Sequence, residues 1–294
     1  MKPGPFSYHR PASVAEAVQL LATTENPKVI AGGQSLMAMM NFRYAMPDHL
    51  IDIARIPELQ GIAIQDTRLQ IGAMTRQREL EFSEALIDAA PLFGAALRYV
   101  GHRQTRNRGT IGGSLAHADP AAELPTVCLA YDADIEIRGQ DGSRLVPMRD
   151  FAAGFMSTAV GYDELLVSVQ LKRWPKGHGY SFQEYARRHG DFAVVGAAAL
   201  LNADASGVID KVAIALCGVG ERPLRRDGAE SLLRGRSFEI SLIRQAAELA
   251  ADLEPVEDIH GTAAYRRHLA RVLTERALHE AWGRIGSNMG KAVA

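Results

Sequence analysis

Two double-glycine segments limit what this chain can fold into more than any other feature of its sequence. The first consists of Ala31, Gly32, Gly33, Gln34, Ser35 and Leu36, and the second of Thr110, Ile111, Gly112, Gly113 and Ser114. Each joins residues without a Cβ to small hydroxyl side chains, so backbone N–H groups can turn toward a common anion. Two such segments could hold a pyrophosphate through about half a dozen neutral donors. One segment alone is most simply a tight turn, but both in one chain favour a shared phosphate site.

The chain lacks the motifs that mark the commonest nucleotide and hydrolase sites. It contains no G-x-G-x-x-G, no G-x-x-x-x-G-K-[ST], no H-E-x-x-H and no G-x-S-x-G. A Rossmann dinucleotide site, a P-loop, a zincin and an α/β-hydrolase are therefore poorly supported.

Composition narrows the class further. The 294 residues include 33 Lys and Arg against 34 Asp and Glu, and 47% of them are hydrophobic. This balance excludes the basic surface typical of nucleic-acid-binding proteins. The length predicts two or three packed units at roughly 150 residues per domain. No apolar run approaches the ~18 residues of a membrane span, and none follows the positive charge at the N-terminus. We therefore expect a cytoplasmic protein with no membrane insertion and no nucleic-acid partner.

Hydrophobic patterning predicts how the chain is organised. A capping-box pattern at Ser13 and Glu16 predicts a short amphipathic helix, which with two buried strands makes a small β-α-β unit. Residues 103–125 have no clear period and predict a long ordered loop. Strands are predicted at residues 28–31, 50–53, 69–73, on both sides of a hairpin turn at Asp141 and Gly142, and at 165–171. Proline and two glycines at residues 174–179 predict a boundary. Beyond it, strands are predicted at residues 180–185, 194–201 and 212–216, and helices at 239–253 and 262–282.

The second glycine segment has chemically suggestive neighbours. Arg106 and Arg108 precede it, and His117, Asp119 and Glu123 follow it. A metal site is one interpretation of the last three, but they lack a recognisable ligand spacing, and carboxylates beside a nucleotide can instead accept hydrogen bonds from sugar hydroxyls. We expect no metal in this chain. The arginines suit a solvated or subunit-facing patch as well as a ligand contact.

Cysteine usage also carries information. Cys128 and Cys217 each lie in an apolar segment, which predicts two buried, reduced thiols. Two thiols cannot ligate an iron-sulfur cluster, which usually needs four.

Both glycine segments, with the H-A-D-P-A-A-E-L-P run of residues 117–125, resemble the FAD pyrophosphate loops of the flavoprotein (medium) subunit of molybdenum hydroxylases. This is the group of xanthine dehydrogenase, aerobic carbon monoxide dehydrogenase, and quinoline and nicotine dehydrogenases. The resemblance covers nearly the whole chain. It continues through Tyr185–Ala193, which is similar to the family segment near the isoalloxazine ring, and through Ile214–Leu224.

The resemblance implies an α+β fold of the PCMH or vanillyl-alcohol-oxidase type. A small α/β FAD-binding subdomain would span residues 1–56, and a larger α+β FAD-binding subdomain residues 57–175. A C-terminal α+β domain like that of the carbon monoxide dehydrogenase flavoprotein would span residues 178–286. FAD would lie between the first two units.

The resemblance also implies roles for single residues outside the glycine segments. Glu123 stands where relatives have an acidic residue that contacts the sugar-like chain of the flavin. Asp191 and Phe192 fall in the segment near the ring, and Phe192 replaces a tyrosine of some relatives, so no phenol donates a hydrogen bond there. A plain core aromatic remains the alternative for Phe192. Gln34 and Ser114 replace a His and an Asn, and both keep hydrogen-bonding groups.

By the same resemblance the chain is one subunit of three. A large subunit with a molybdenum-pterin cofactor would oxidise the substrate, a small subunit with 2Fe-2S clusters would relay electrons, and the FAD of this chain would pass them to an external acceptor. No catalytic side chain is then expected here, and the assembly is expected to be a dimer of heterotrimers. The alternatives are a stand-alone FAD-dependent oxidase or reductase and a non-catalytic nucleotide-binding module. Overall similarity favours an N-heterocyclic aromatic substrate, whereas the terminal acceptor stays open.

Overall fold

The structure is a computed structural model that describes the backbone of residues 1–292 and the side chains of residues 1–285. Its N-terminal unit is a parallel sheet of three strands in the order β1-β3-β2. The elements are β1 (Ser7–His9), α1 (Val14–Thr23), β2 (Pro27–Ile30), α2 (Leu36–Asn41) and β3 (His49–Asp52). The Ser13 half of the predicted capping box is confirmed, because the Ser13 hydroxyl accepts a hydrogen bond from the N–H of Glu16. The Glu16 half differs, because the Glu16 carboxylate accepts from the N–H of Ala12 instead of that of Ser13. The apolar face of α1 packs on Ile51 and Ile53.

The central unit is a five-stranded antiparallel sheet in the order β4-β5-β10-β6-β7, packed against short helices. The strands of this sheet are β4 (Ile62–Ile64), β5 (Arg68–Gly72), β6 (Asp134–Gly139), β7 (Gly142–Pro147) and β10 (Leu165–Lys172). Before β10, β8 (Ala152–Gly154) and β9 (Ser157–Thr158) form a separate small hairpin. Its helices are α3 (Gln77–Phe82), α4 (Glu84–Ala89), α5 (Leu92–Leu97), α6 (Arg103–Arg108), α7 (Ile111–His117), α8 (Glu123–Ala130) and α9 (Met148–Phe151), and a 3-10 turn spans Pro57–Leu59. The predicted hairpin at Asp141 and Gly142 is confirmed.

The predicted long loop over residues 103–125 is wrong. The chain there forms α6, α7 and the start of α8. These helices are at most eight residues long, and Gly112 and Gly113 lie inside α7. Glycine is a poor helix former and helices this short show no sustained period, so their sequence looks irregular. Tertiary packing decides the local structure instead.

The C-terminal unit is an antiparallel sheet in the order β11-β12-β13-β14 with three helices. Its elements are β11 (Gly179–Tyr185), β12 (Val195–Ala203), β13 (Ile209–Cys217), β14 (Leu224–Arg225), α10 (Asp227–Leu233), α11 (Ile240–Ala250) and α12 (Ala263–Ala292). The long helix α12 covers one face of the sheet. The other face joins the core of the central unit, since Ala198 and Ala215 share a buried cluster with Leu124 and Val127.

The connection between the central and C-terminal units is closely packed. Trp174 and His178 are buried there, and a Cβ on Gly179 would overlap the carbonyl oxygen of Ala281 in α12. Both cysteines are fully buried free thiols, as the sequence predicts. Within the described part of the chain, no helix combines the length and apolar character that crossing a bilayer requires.

Candidate functional site

The first glycine segment connects the end of β2 to the start of α2. Gly33 has a φ of +71°, in the left-handed region that disfavours side chains with a Cβ. Gln34 folds back, and its amide donates to the carbonyl oxygen of Gly32 over 3.2 Å. Within the described residues, the backbone N–H groups of residues 32–35 have no protein acceptor. Four neighbouring donors at the end of a parallel strand are therefore left for a ligand.

The two glycine segments meet. A Cβ on Gly32 would overlap the carbonyl oxygen of Arg108 and lie 2.9 Å from the Cα of Gly109. A Cβ on Gly113 would lie 3.7 Å from the Cβ of Ala31. Only glycine fits at position 32, because any Cβ there would collide with the backbone of Arg108 and Gly109. The first segment and the segment that begins α7 are therefore in direct contact.

The second glycine segment is the first turn of a helix rather than an open bend. Thr110 caps α7, because its hydroxyl oxygen accepts from the N–H of Gly113 over 3.0 Å. The N–H of Ile111 donates to the carbonyl oxygen of Thr75, and that of Gly112 donates to the carbonyl oxygen of Ala73. The N–H groups of residues 111–114 thus all have acceptors within the protein, so the expectation that both segments offer a set of free N–H groups is wrong for the second one. It can contribute hydroxyl groups and a surface for the ligand instead.

A short stretch of backbone after β5 holds α7 in place, and sequence reasoning missed it. Arg76 and Thr110 form an isolated antiparallel bridge, and the N–H of Gln77 donates to the carbonyl oxygen of Gly109 over 2.9 Å. The Arg76 guanidinium also donates to the carbonyl oxygen of Arg108. These contacts are made by main-chain atoms and by a common surface residue type, so no sequence signal marks them.

Glu123 begins α8 and is buried, with 8% of its surface exposed. Burial raises the pKa of its carboxyl group to about 7, and the nearby charge of Asp119 adds to that rise. Asp119 itself accepts from the N–H of Ala121 over 2.8 Å, which closes the turn before α8. A buried carboxyl with no hydrogen bond to another residue in the described part of the chain suits a polar ligand group.

Asp191 and Phe192 lie on a separate turn that follows β11. In this turn Gly190 has a φ of +90°, and a Cβ there would lie 2.8 Å from the imidazole ring of His102. The turn therefore packs just before α6, which leads into the second glycine segment. The core-aromatic alternative for Phe192 is wrong, because 64% of its surface is exposed. An exposed aromatic side chain is free to stack on the ring of a ligand.

The two arginines before the second segment, Arg106 and Arg108, have different surroundings. The Arg106 guanidinium binds the carboxylate of Glu81 in α3 and the carbonyl oxygens of Val100 and Gly101, so it links α6 to α3 and to the turn before α6. The Arg108 side chain is exposed. Across the residues whose side chains are described, no three His, Cys, Asp or Glu groups converge as metal ligands would.

The arrangement places groups that suit a diphosphate-bearing ligand where the N-terminal α/β unit meets the central α+β unit. Four free N–H groups, the hydroxyls of Ser35 and Ser114, and the bare backbone at Gly32 offer neutral donors and close approach. These are the groups that a diphosphate requires, and the buried Glu123 carboxyl can accept from a sugar-like hydroxyl.

Comparison with known proteins identifies the family. Residues 4–174 match the family described as the FAD binding domain in molybdopterin dehydrogenase. Residues 180–281 match the carbon monoxide dehydrogenase flavoprotein C-terminal domain. The chain belongs to this family of FAD-binding subunits, and the resemblance inferred from its sequence is confirmed.

Individual relatives match over almost their whole length. A 6-hydroxypseudooxynicotine dehydrogenase complex subunit alpha of Paenarthrobacter nicotinovorans is 40% identical, covering 96% of both chains. The carbon monoxide dehydrogenase of Hydrogenophaga pseudoflava superimposes with a TM-score of 0.94 at 38% identity, covering 97% of this chain and 99% of that one. Quinoline 2-oxidoreductase of Pseudomonas putida 86 superimposes with a TM-score of 0.92, also at 38% identity, covering 97% of this chain and 100% of that one. The α+β flavoprotein fold is therefore confirmed.

Proposed function

We propose that this chain is the FAD-carrying electron-transfer subunit of a heterotrimeric molybdenum hydroxylase. The observation that carries the proposal is the set of four free N–H groups at residues 32–35, packed against the start of α7. Family membership supplies the cofactor that such a site fits. When bound, FAD supplies redox chemistry that exchanges electrons both singly and in pairs, and the protein binds, orients and tunes it.

We assign the diphosphate to the first glycine segment. The N–H groups of Gly32, Gly33, Gln34 and Ser35 donate to its oxygens in this proposal, while Ala31 and Leu36 set the ends of the segment. Thr110 and Ser114 add hydroxyl groups, and Ile111, Gly112 and Gly113 provide the surface against which the ligand lies. Glu123 accepts from the sugar-like chain, and Asp191 and Phe192 lie near the isoalloxazine ring.

Electrons reach this subunit from another chain in the proposal. Cys128 and Cys217 are both buried, and their pKa values are raised by burial, so neither offers a thiolate to a cluster. A small 2Fe-2S subunit and a large molybdopterin subunit complete the complex, which we propose to be a cytoplasmic dimer of heterotrimers. Relatives are named as subunits or medium chains of such dehydrogenases, which supports this assignment.

For the substrate we propose an N-heterocyclic aromatic or a similar small molecule. Relatives named for nicotine, caffeine and quinoline support this class. Relatives named for carbon monoxide are equally similar in sequence. The substrate therefore has to be determined on the whole complex and not from the sequence of this chain. Assaying the co-purified complex with nicotine, quinoline and caffeine, with carbon monoxide and xanthine as controls, tests the proposed class: turnover of either control alone would contradict the proposal.

The role of the chain itself is tested by flavin reduction. The full chain, purified alone, should carry stoichiometric FAD that none of these substrates reduces. Adding the two partner subunits should make that FAD reducible by substrate. Reduction by substrate in the isolated chain would instead identify a stand-alone oxidase or reductase, and the absence of flavin absorbance after gentle purification would identify a nucleotide-binding module.

A further inference from the structure

A second carboxyl group lies behind Glu123, and no part of the proposed site uses it. Glu184 is on β11, where it pairs with Gly196 of β12, which in turn pairs with Cys217 of β13. Directly paired residues of an antiparallel sheet point to the same face. This is the face that packs against α8, because Cys217 shares a buried cluster with Val127 and its thiol meets the hydroxyl of Thr126.

The glycine in the middle of this row lets the Cys217 thiol and the Phe182 ring approach the backbone of β12 closely. A Cβ on Gly196 would lie 2.6 Å from the Sγ of Cys217 and 3.2 Å from the ring of Phe182. The Oε2 atom of Glu184 is shielded from solvent and has no hydrogen-bond partner among the described residues. Glu184 as a whole is only partly buried, but at this oxygen an ionised carboxylate would lack both water and a donor, which favours the protonated form.

The charges around Glu184 do not favour ionisation. Burial and the negative charge of Glu123 raise its pKa to about 8. The other titratable groups on this side are Tyr99, whose pKa the charge of Glu184 helps to raise, Cys217, and Asp119 beside Glu123. Glu280 of α12 lies on the opposite face, where it accepts from Ser181 and Gln183. Among the described residues, no cation contributes to the pKa shift of either Glu123 or Glu184.

We propose that Glu184 is a positioning residue that stays protonated in the folded chain, so that Glu123 is the only carboxylate of the pair that ionises beside the cofactor. Its link to FAD rests on the proposed function, whereas its protonation does not. The neutral acid fills the space behind α8 without adding a second charge, which keeps Glu123 able to accept hydrogen bonds from the sugar-like chain.

The proton makes a testable contribution to stability. In the unfolded chain the carboxyl group loses its proton near the ordinary glutamate pKa of 4.5, whereas in the folded chain it keeps the proton until about pH 8. Between these values the folded state holds one more proton, so its stability falls as pH rises and levels off above pH 8. Glu184→Gln is permanently neutral and lacks this contribution.

The first experiment measures urea unfolding midpoints of the full chain without flavin between pH 5 and 9. The unfolding midpoint of Glu184→Gln relative to that of the wild type should rise steadily up to about pH 8. The midpoint of the control Glu254→Gln, which changes an exposed carboxyl, should not rise in this way. A difference that is the same at every pH would overturn the proposal, since a purely structural role gives that result. If Glu184→Gln does not fold, Glu123→Gln replaces it. This variant loses the decline that the Glu123 carboxyl itself contributes up to about pH 7, and a decline from Glu184 that ends below pH 8 should remain. A profile with no remaining decline would overturn the proposal.

The second experiment titrates FAD onto the same proteins. The wild type should lose affinity above about pH 8 and Glu184→Gln should not. Parallel pH profiles in chains that bind FAD would overturn the proposal while the FAD-carrying role stands. If neither protein binds FAD, the proposed function fails, and the unfolding measurements still decide whether Glu184 holds its proton.

Discussion

Gly33 shows how a single residue can decide ligand binding. Its φ of +71° disfavours any residue with a Cβ, and the N–H groups around it are free. We predict that Gly33→Val leaves a folded chain without flavin. The strained backbone costs about 1–3 kcal/mol of stability and turns the N–H groups away from their ligand. Flavin absorbance after purification and the unfolding midpoint measure the two effects.

Gly235→Val is the matched control. Gly235 has a φ of +77°, and nothing lies within 4 Å of the position of an added Cβ. It should lose similar stability and keep its flavin. If Gly33→Val retained stoichiometric FAD, or both variants lost it equally, the first segment would not be the phosphate site.

Glu123 is the second residue whose replacement gives a clear expectation. Glu123→Ala removes one hydrogen bond between a charged group and the ligand, which costs about 1.5–3 kcal/mol. The dissociation constant for FAD should rise by about tenfold to a hundredfold, and binding should remain measurable. Titrating the apoprotein with FAD measures this, and an unchanged dissociation constant would show that Glu123 does not contact the cofactor.

At the scale of elements, the start of α7 matters because its cap, Thr110, is also part of the proposed site. Thr110→Ala removes the acceptor for the N–H of Gly113 and should cost about 1 kcal/mol of stability. Because this turn packs on the first glycine segment, FAD affinity should fall as well. Ser13→Ala removes the corresponding cap of α1 and should lower stability alone. Equal FAD affinity in both variants would show that the start of α7 does not contribute to FAD binding.

Elements with strong local signals could be predicted from the sequence, and those fixed by packing could not. Ser13 signals its helix and the turn at Asp141 and Gly142 signals its hairpin, and both are confirmed. The three short helices between residues 103 and 130 depend on contacts such as Gly112 against Ala73, which no periodicity reveals. The composition of the two glycine segments indicated a shared site, but only the structure shows which segment keeps its N–H groups free.

For the whole molecule, ion pairs link the central and C-terminal units. The buried Arg225 binds Glu230 in its own unit, and Asp132 and the carbonyl oxygen of Leu129 in the central unit. Arg225→Met leaves the buried Glu230 carboxylate without a cationic partner, with only the N–H of Ile214 still donating to it, so stability should fall by about 3–5 kcal/mol. Calorimetry should show one cooperative transition at a lower temperature, because the units share a core.

An exposed link between the same units provides the control. Arg149 in α9 pairs with Asp227 in α10, and both side chains are solvated. Arg149→Ala should change stability by no more than ~1 kcal/mol. A loss as large as that of Arg225→Met would mean that burial does not decide the strength of these links.

The account as a whole depends on where the diphosphate of FAD binds. A crystal structure of the full chain with bound FAD measures this directly. We predict that the diphosphate oxygens lie within hydrogen-bond distance of the N–H groups of Gly32, Gly33, Gln34 and Ser35, with α7 on the other side. A diphosphate bound away from this segment, with those four N–H groups facing only water, would contradict the account.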